Sequence, residues 1–255
     1  MKLYYAATLL SLFIFTAADA GIILNSSASY TQNFDSLAST GTSSVTPTDW
    51  VFFEAGTASG TTYTSGTGSD NTGDTYSFGS SGSSDRAFGG LRSGTLIPTI
   101  GASFTNGGAT AIQSLLISYD GEQWRLGTTG RTDRLDFQYS LNATALSNGT
   151  WLDHNALDFS TPSTTTFGMS DGNLASNRTL LSSSITGFNL TSGETLWIRW
   201  TDFDVPGSDD GLAIDNFSVT ASFAAVPEPS SIVAISAAGL CALLHRKRRK
   251  HQPTA

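Results

Sequence analysis

Alternation of apolar and polar residues is clearest in Leu135-Asp136-Phe137-Gln138-Tyr139 and in Trp197-Ile198-Arg199-Trp200, and similar runs recur between Gly, Asn and Asp residues along the chain. A period of two sends successive side chains to opposite faces of a pleated strand, so these runs suit strands with one buried and one wet face. The residues that interrupt them are those that tight turns demand. Strands are therefore expected at 29–34, 50–54, 86–91, 102–105, 112–119, 134–140, 196–203 and 212–223, with no long amphipathic helix. Many short strands of this kind predict an all-β chain, a single β-sandwich of jelly-roll type. The segment 39–84 is dominated by Gly, Ser and Thr, yet Trp50, Phe52, Phe53, Tyr63, Tyr76 and Phe78 recur through it. So many aromatics argue against a pure linker and predict long loops with strands among them.

The two ends of the chain have a different character. Lys2, the apolar stretch from Leu9 to Phe15 and the pattern Ala18-Asp19-Ala20 before Gly21 read as a secretory signal peptide over 1–20, cut by signal peptidase after Ala20. At the other end, Pro227 and Pro229 fix φ and remove two backbone donors, which predicts an extended stretch open to a protease over 226–230. An apolar run follows at 231–244, and then a basic cluster, His245-Arg-Lys-Arg-Arg-Lys250. The run is short for a bilayer, but long basic side chains behind it can snorkel and hold that end on the cytoplasmic side, so it is expected to be a transmembrane anchor helix.

Pro227-Glu228-Pro229, one hydrophobic segment and an Arg-rich end together resemble the PEP-CTERM sorting signal of exported bacterial proteins. That resemblance spans 226–250. It implies recognition by an exosortase in the inner membrane, cleavage near Pro227, Glu228 and Pro229, and release to the cell surface or extracellular matrix. Those three residues would be substrate for another enzyme. Between the two signals lies an ectodomain, 21–225.

Trimming both ends leaves seven Arg, no Lys and nearly all of the 21 acidic residues. So acidic a surface repels nucleic acid and other polyanions and favours divalent cations. The one cysteine, Cys241, falls in the apolar tail and reads as a small apolar filler, so no disulfide can staple the ectodomain. A chain of this length can rely on its hydrophobic core instead.

Several chemistries are excluded by what is missing. His154 is the only histidine between the signals, so an ordinary His/Cys zinc site cannot be assembled, and a Ser-His-Asp triad would rest on a residue that reads as a surface-loop histidine. No Lys is present for a phosphate loop. Glycoside hydrolysis needs two facing carboxyl groups, and the ectodomain has only Glu54, Glu122 and Glu194 besides its aspartates. Glu122 stands out, because Tyr119-Asp120-Gly121-Glu122-Gln123-Trp124-Arg125 groups two carboxylates, a Trp and an Arg beside what reads as a turn glycine. Glu122 and Trp124 are thus candidate ligand-binding residues. The alternative function is a secreted carbohydrate-active enzyme with Glu122 as acid; the competing structural reading is an ion pair between Glu122 and an arginine. No catalytic residue is assigned, and a non-catalytic exported protein that binds extracellular polysaccharide is the leading expectation.

Asp202, Asp204, Asp209, Asp210 and Asp215 place five carboxylates in a short stretch of loop and strand. Hard oxygen ligands on a turn suit Ca²⁺, although the spacing is not that of an EF-hand. The segment Gly211-Leu-Ala-Ile-Asp-Asn-Phe-Ser-Val219 is similar to the closing strand of MAM-type and lectin-like jelly rolls, and that resemblance implies a calcium near Asp215. Asp209 and Asp210 join the expected metal set by proximity. Four tryptophans, Trp124, Trp151, Trp197 and Trp200, are candidates for a sugar platform, but Trp197 and Trp200 lie three apart and cannot share a face of a regular strand.

Overall fold

The computed structural model describes residues 21–226. The expected signal peptide with Ala18 and Ala20, and the sorting signal with Pro227, Glu228 and Pro229, lie outside the described residues. Within them the structure holds sixteen strands, numbered in chain order, one 3-10 turn (Asn155–Leu157) and no α-helix.

Two sheets face each other. In sheet A, β8 (Ile97–Asn106) carries β1 (Ile22–Leu24) and β4 (Trp50–Ala55) on one side and β15 (Thr195–Asp202) on the other. Next comes β10 (Arg134–Ser140), edged by the short β11 (Leu152–Asp153) and β12 (Phe159–Ser160). In sheet B, β9 (Ile112–Leu126) is edged by β13 (Gly168–Met169) and β14 (Arg178–Leu190). On the other side of β9 lies β16 (Gly211–Phe223), followed by β2 (Tyr30–Gln32) and β7 (Ala87–Leu91). The sheet ends with β6 (Asp74–Phe78), β5 (Tyr63–Gly66) and β3 (Thr42–Ser43). The long strands alternate between the sheets: β7, β9, β14 and β16 belong to B, while β8, β10 and β15 belong to A. This crossing from layer to layer gives the β-sandwich its jelly-roll wrapping.

Aromatic side chains fill the space between the layers. Trp50 and Trp200 of sheet A stack with centroids 6.1 Å apart, and Phe217 of sheet B meets both edge-on at 5.1 and 5.9 Å. Tyr119 meets Trp200 at 5.2 Å and donates its hydroxyl to the Leu157 carbonyl. Such pairs add to the free energy of burial because ring edges carry positive and ring faces negative charge. With no cysteine among the described residues, this core holds the sandwich together.

Two local features set which side chains face out. Along β9, Leu115, Ile117 and Tyr119 point inward, and the next inward position is Gly121. A Cβ there would collide with the Phe159 ring, so the absence of a side chain lets Phe159 pack against the strand. Gly121 is therefore a mid-strand glycine. The turn expected at this point does not exist, and β9 runs through it to Leu126. Along β16, Asn216 takes φ +48° and the register with β9 shifts between Asp215 and Ser218. This bulge keeps both Ile214 and Phe217 in the core and leaves Asp215 on the outer side.

Candidate functional site

Sheet A keeps an outward face that is partly open to solvent. Burial alternates strictly along β15, so Leu196, Ile198 and Trp200 enter the core while Trp197, Arg199 and Thr201 point out. Strand register then lays Phe53, Thr99, Thr201 and Asp136 in one row across four strands. At one end of this row Phe53 is 38% exposed and lines a cleft of about 490 Å³ together with Val51, Ser44, Thr46, Ser59 and Thr61. At the other end Arg134 pairs with Asp136 and lies 4.0 Å over the Phe203 ring. A second row is already occupied by protein: Arg199 stacks at 4.0 Å on Trp151, donates to Gln138 and to the Leu146 carbonyl, and Leu146 packs over Gly101. The segment 141–151 thus walls the first row. The rings at its two ends, Phe53 and Phe203, are exposed, whereas Thr99 is buried with its hydroxyl donating to Thr201 at 3.3 Å, and Asp136 is held by Arg134.

Glu122 and Trp124 lie on the outer face of sheet B and are closed off from solvent. Each is 1% exposed; the Trp124 indole donates to Glu122 Oε2 at 3.0 Å, and Gly172 is packed against its ring. Phe78 stacks on Trp124 with centroids 6.1 Å apart, and Tyr76 on Phe78 at 4.9 Å. Trp124 is thus not a solvent-facing sugar platform; it belongs to a second, smaller core. Nor does Glu122 form the expected ion pair with an arginine. Arg178, opposite it on β14, reaches Asp120 instead, at 3.8 Å. Burial above all, and then the nearby charge of Asp215, pushes the Glu122 carboxyl up to about 8. Asp215 itself is raised to about 7, chiefly by burial. One oxygen of each, Glu122 Oε1 and Asp215 Oδ1, has no hydrogen-bond partner.

The expected metal set divides. Asp215 stays with Glu122 on sheet B, whereas Asp209 comes together with Asp133 and Asp202, one oxygen from each lying within 4.8 Å of the others. Asp210 is next to this triad and is bound in place: its Oδ1 accepts from the Gly127 amide at 2.7 Å and its own amide donates to Asp133 Oδ2 at 2.8 Å. Asp204 is exposed and faces Arg92 at 3.5 Å. Asp133 escaped the sequence reading because nothing in its spacing sets it apart; it is brought in by the pairing of β10 with β15.

His154 lies in the loop between β11 and the 3-10 turn, half-buried, with its Nε2 2.9 Å from Ser183 Oγ. Gly168-Met169-Ser170-Asp171-Gly172 has the letters of a nucleophile elbow, but that element needs a sharp strand-to-helix turn. Here the segment runs along the β9 edge, Ser170 donates its amide to the Trp124 carbonyl, and no helix follows.

No family model and no curated protein matches this chain. Among solved structures it is similar to the CBM22-1 xylan-binding domain from Paenibacillus barcinonensis Xyn10C, with 10% identity over 79% of this chain and 99% of that one, TM-score 0.39. It is also similar to the K3 cleaved adhesin domain of Lys-gingipain from Porphyromonas gingivalis, with 12% identity over 68% and 92% of the two chains, TM-score 0.40. A third is TmCBM61 in complex with beta-1,4-galactotriose, with 8% identity over 56% and 74%, TM-score 0.30.

Proposed function

We propose that this chain is an exported, non-catalytic protein of the cell surface or extracellular matrix that binds a polysaccharide across the outward face of sheet A. The observation that carries the reading is the row Phe53, Thr99, Thr201 and Asp136 beside an open cleft. A pyranose offers C–H faces to a ring and hydroxyls to hydroxyl and carboxylate partners, which Phe53, Thr201 and Asp136 supply at strand spacing. The acidic balance disfavours anionic polymers and points to neutral glycans. Export by signal peptidase and release by an exosortase complete the proposal, on the strength of the terminal motifs.

A glycosidase reading is disfavoured by access. Glu122 and Asp215 are both buried, at 1% and 3% exposure, so neither is open to a glycosidic oxygen. The test is retention of the purified protein on insoluble neutral polysaccharides (glucans, xylans, mannans and galactans), with reducing ends assayed in parallel. Retention without reducing-end release is expected, and Phe53→Ala should weaken it at least about tenfold, near 1.4 kcal/mol, without changing the melting temperature. Failure to bind any member of the panel, or equal retention of the Phe53→Ala variant, refutes the site. Reducing-end release lost in Glu122→Gln would replace it with the enzyme. Substituting Ala at Pro227 and Pro229 should trap an uncleaved membrane form; unchanged release would remove the sorting proposal.

A further inference from the structure

We propose that Asp133, Asp202 and Asp209 form a Ca²⁺ site that ties the loop between β15 and β16 to the start of β10. First, the carboxylates converge from separate elements: Asp133 precedes β10, Asp202 ends β15 and Asp209 precedes β16. Second, Asp202 is 2% and Asp209 6% exposed, and Asp202 Oδ1 and Asp209 Oδ1 have no donor. A buried carboxylate oxygen without a partner is costly, and it calls for a cation or a proton.

Third, the charge is not balanced. With Asp210 included, four carboxylates share this end of the sandwich with two guanidinium groups, those of Arg131 and Arg92. Arg131 is committed to Asp133 Oδ2 at 3.3 Å, Asp210 Oδ1 at 3.6 Å and the Ser208 carbonyl. Arg92 gives its amide to Asp202 Oδ2 and its guanidinium to the Asp202 carbonyl and the exposed Asp204. Neither arginine donates to the two orphan oxygens. Fully ionised, and leaving aside the solvated Asp204 that shares Arg92, the buried group carries two negative charges in excess, which one divalent ion offsets. An all-carboxylate donor set, with no His or Cys, suits Ca²⁺ over Zn²⁺, and Mg²⁺ gives up its waters too reluctantly for so buried a site. Asp215 is no part of this site.

The ion would also act on the proposed glycan surface. Asp202 follows Thr201 directly, and Phe203, under Arg134, begins the loop that the ion would hold. The test uses the purified protein stripped with EDTA and dialysed at pH 7.5. Added Ca²⁺ at about a hundredfold excess over Kd should raise the melting temperature by about 5–10 °C, with one Ca²⁺ per chain by elemental analysis and little response to Mg²⁺. Asp209→Asn and Asp202→Asn should abolish the response, while Glu122→Gln retains it. Should Asp202→Asn fail to fold, the more peripheral Asp209→Asn decides alone. A melt indifferent to Ca²⁺, or a Ca²⁺ response that survives Asp209→Asn, overturns the site; indifference to Ca²⁺ with a melting temperature that falls from pH 5 to 8 means that protons fill the role instead. Glycan retention measured with and without Ca²⁺ reads separately on the binding face, which can fail while the ion site stands.

Discussion

Glu122 offers a sharp test of the electrostatics of sheet B, because its substitution by Gln keeps the shape and removes the charge. Its carboxyl is raised from 4.5 to about 8, first by burial and then by Asp215. A group whose folded pKa is raised stabilises the fold fully below its unfolded value, and that stability is lost as pH climbs toward the folded value. The loss therefore runs from about pH 4.5 to about pH 8. At 1.36 kcal/mol per decade of proton affinity, the full interval is worth on the order of 4–5 kcal/mol, an upper value shared with Asp215 because the two charges repel each other. Glu122→Gln should leave the melting temperature near that of the parent at pH 5, where Glu122 is protonated, and exceed it by roughly 10 °C at pH 9. Thermal melts in EDTA across pH 5–9 measure this, with the bonded Trp124 indole as a fluorescence reporter of local packing. A difference between the two proteins that does not grow with pH would refute the claim that Glu122 is forced to ionise in a dry site.

Two further substitutions test the fold. Gly121→Ala should destabilise by about 1–3 kcal/mol, because the added methyl group meets the Phe159 ring; a neutral result in a denaturant melt would mean that β12 is not packed on β9 as described. Trp200→Ala should cost about 3–5 kcal/mol by emptying the centre of the aromatic core against Trp50, Tyr119, Phe137 and Phe217, whereas Trp197→Ala on the opposite face of the same strand should cost well under half of that.

Much of the architecture was legible because alternation and burial are the same fact seen twice. The run 134–140 coincides with β10, and the positions inferred for β4, β7, β15 and β16 lie within two residues of those observed. Trp197 and Trp200 do take opposite faces, as their spacing demands. Other stretches escaped: β1, the first half of β8, the short β11, β12 and β13, all of β14 and the second half of β9. β14 is an edge strand rich in Ser and Thr with little to bury, so its pattern carries no strong period. The second half of β9 was hidden by Gly121, because a glycine that admits a neighbouring ring looks, in sequence, like one that allows a turn.

For the functional residues the division is sharper. Composition and order alone determined the acidic surface, the lack of a disulfide framework, the exclusion of ordinary zinc and phosphate-loop chemistry and the all-β class, since each depends on which residues are present and how they alternate. Whether Glu122 and Trp124 face solvent, that Asp209 joins Asp133 and Asp202 while Asp215 does not, and that Phe53 lines up with Asp136 were decided only by the tertiary structure. Exposure and convergence depend on strand register and on which loops close over a sheet, and both are set by contacts between residues far apart in the chain.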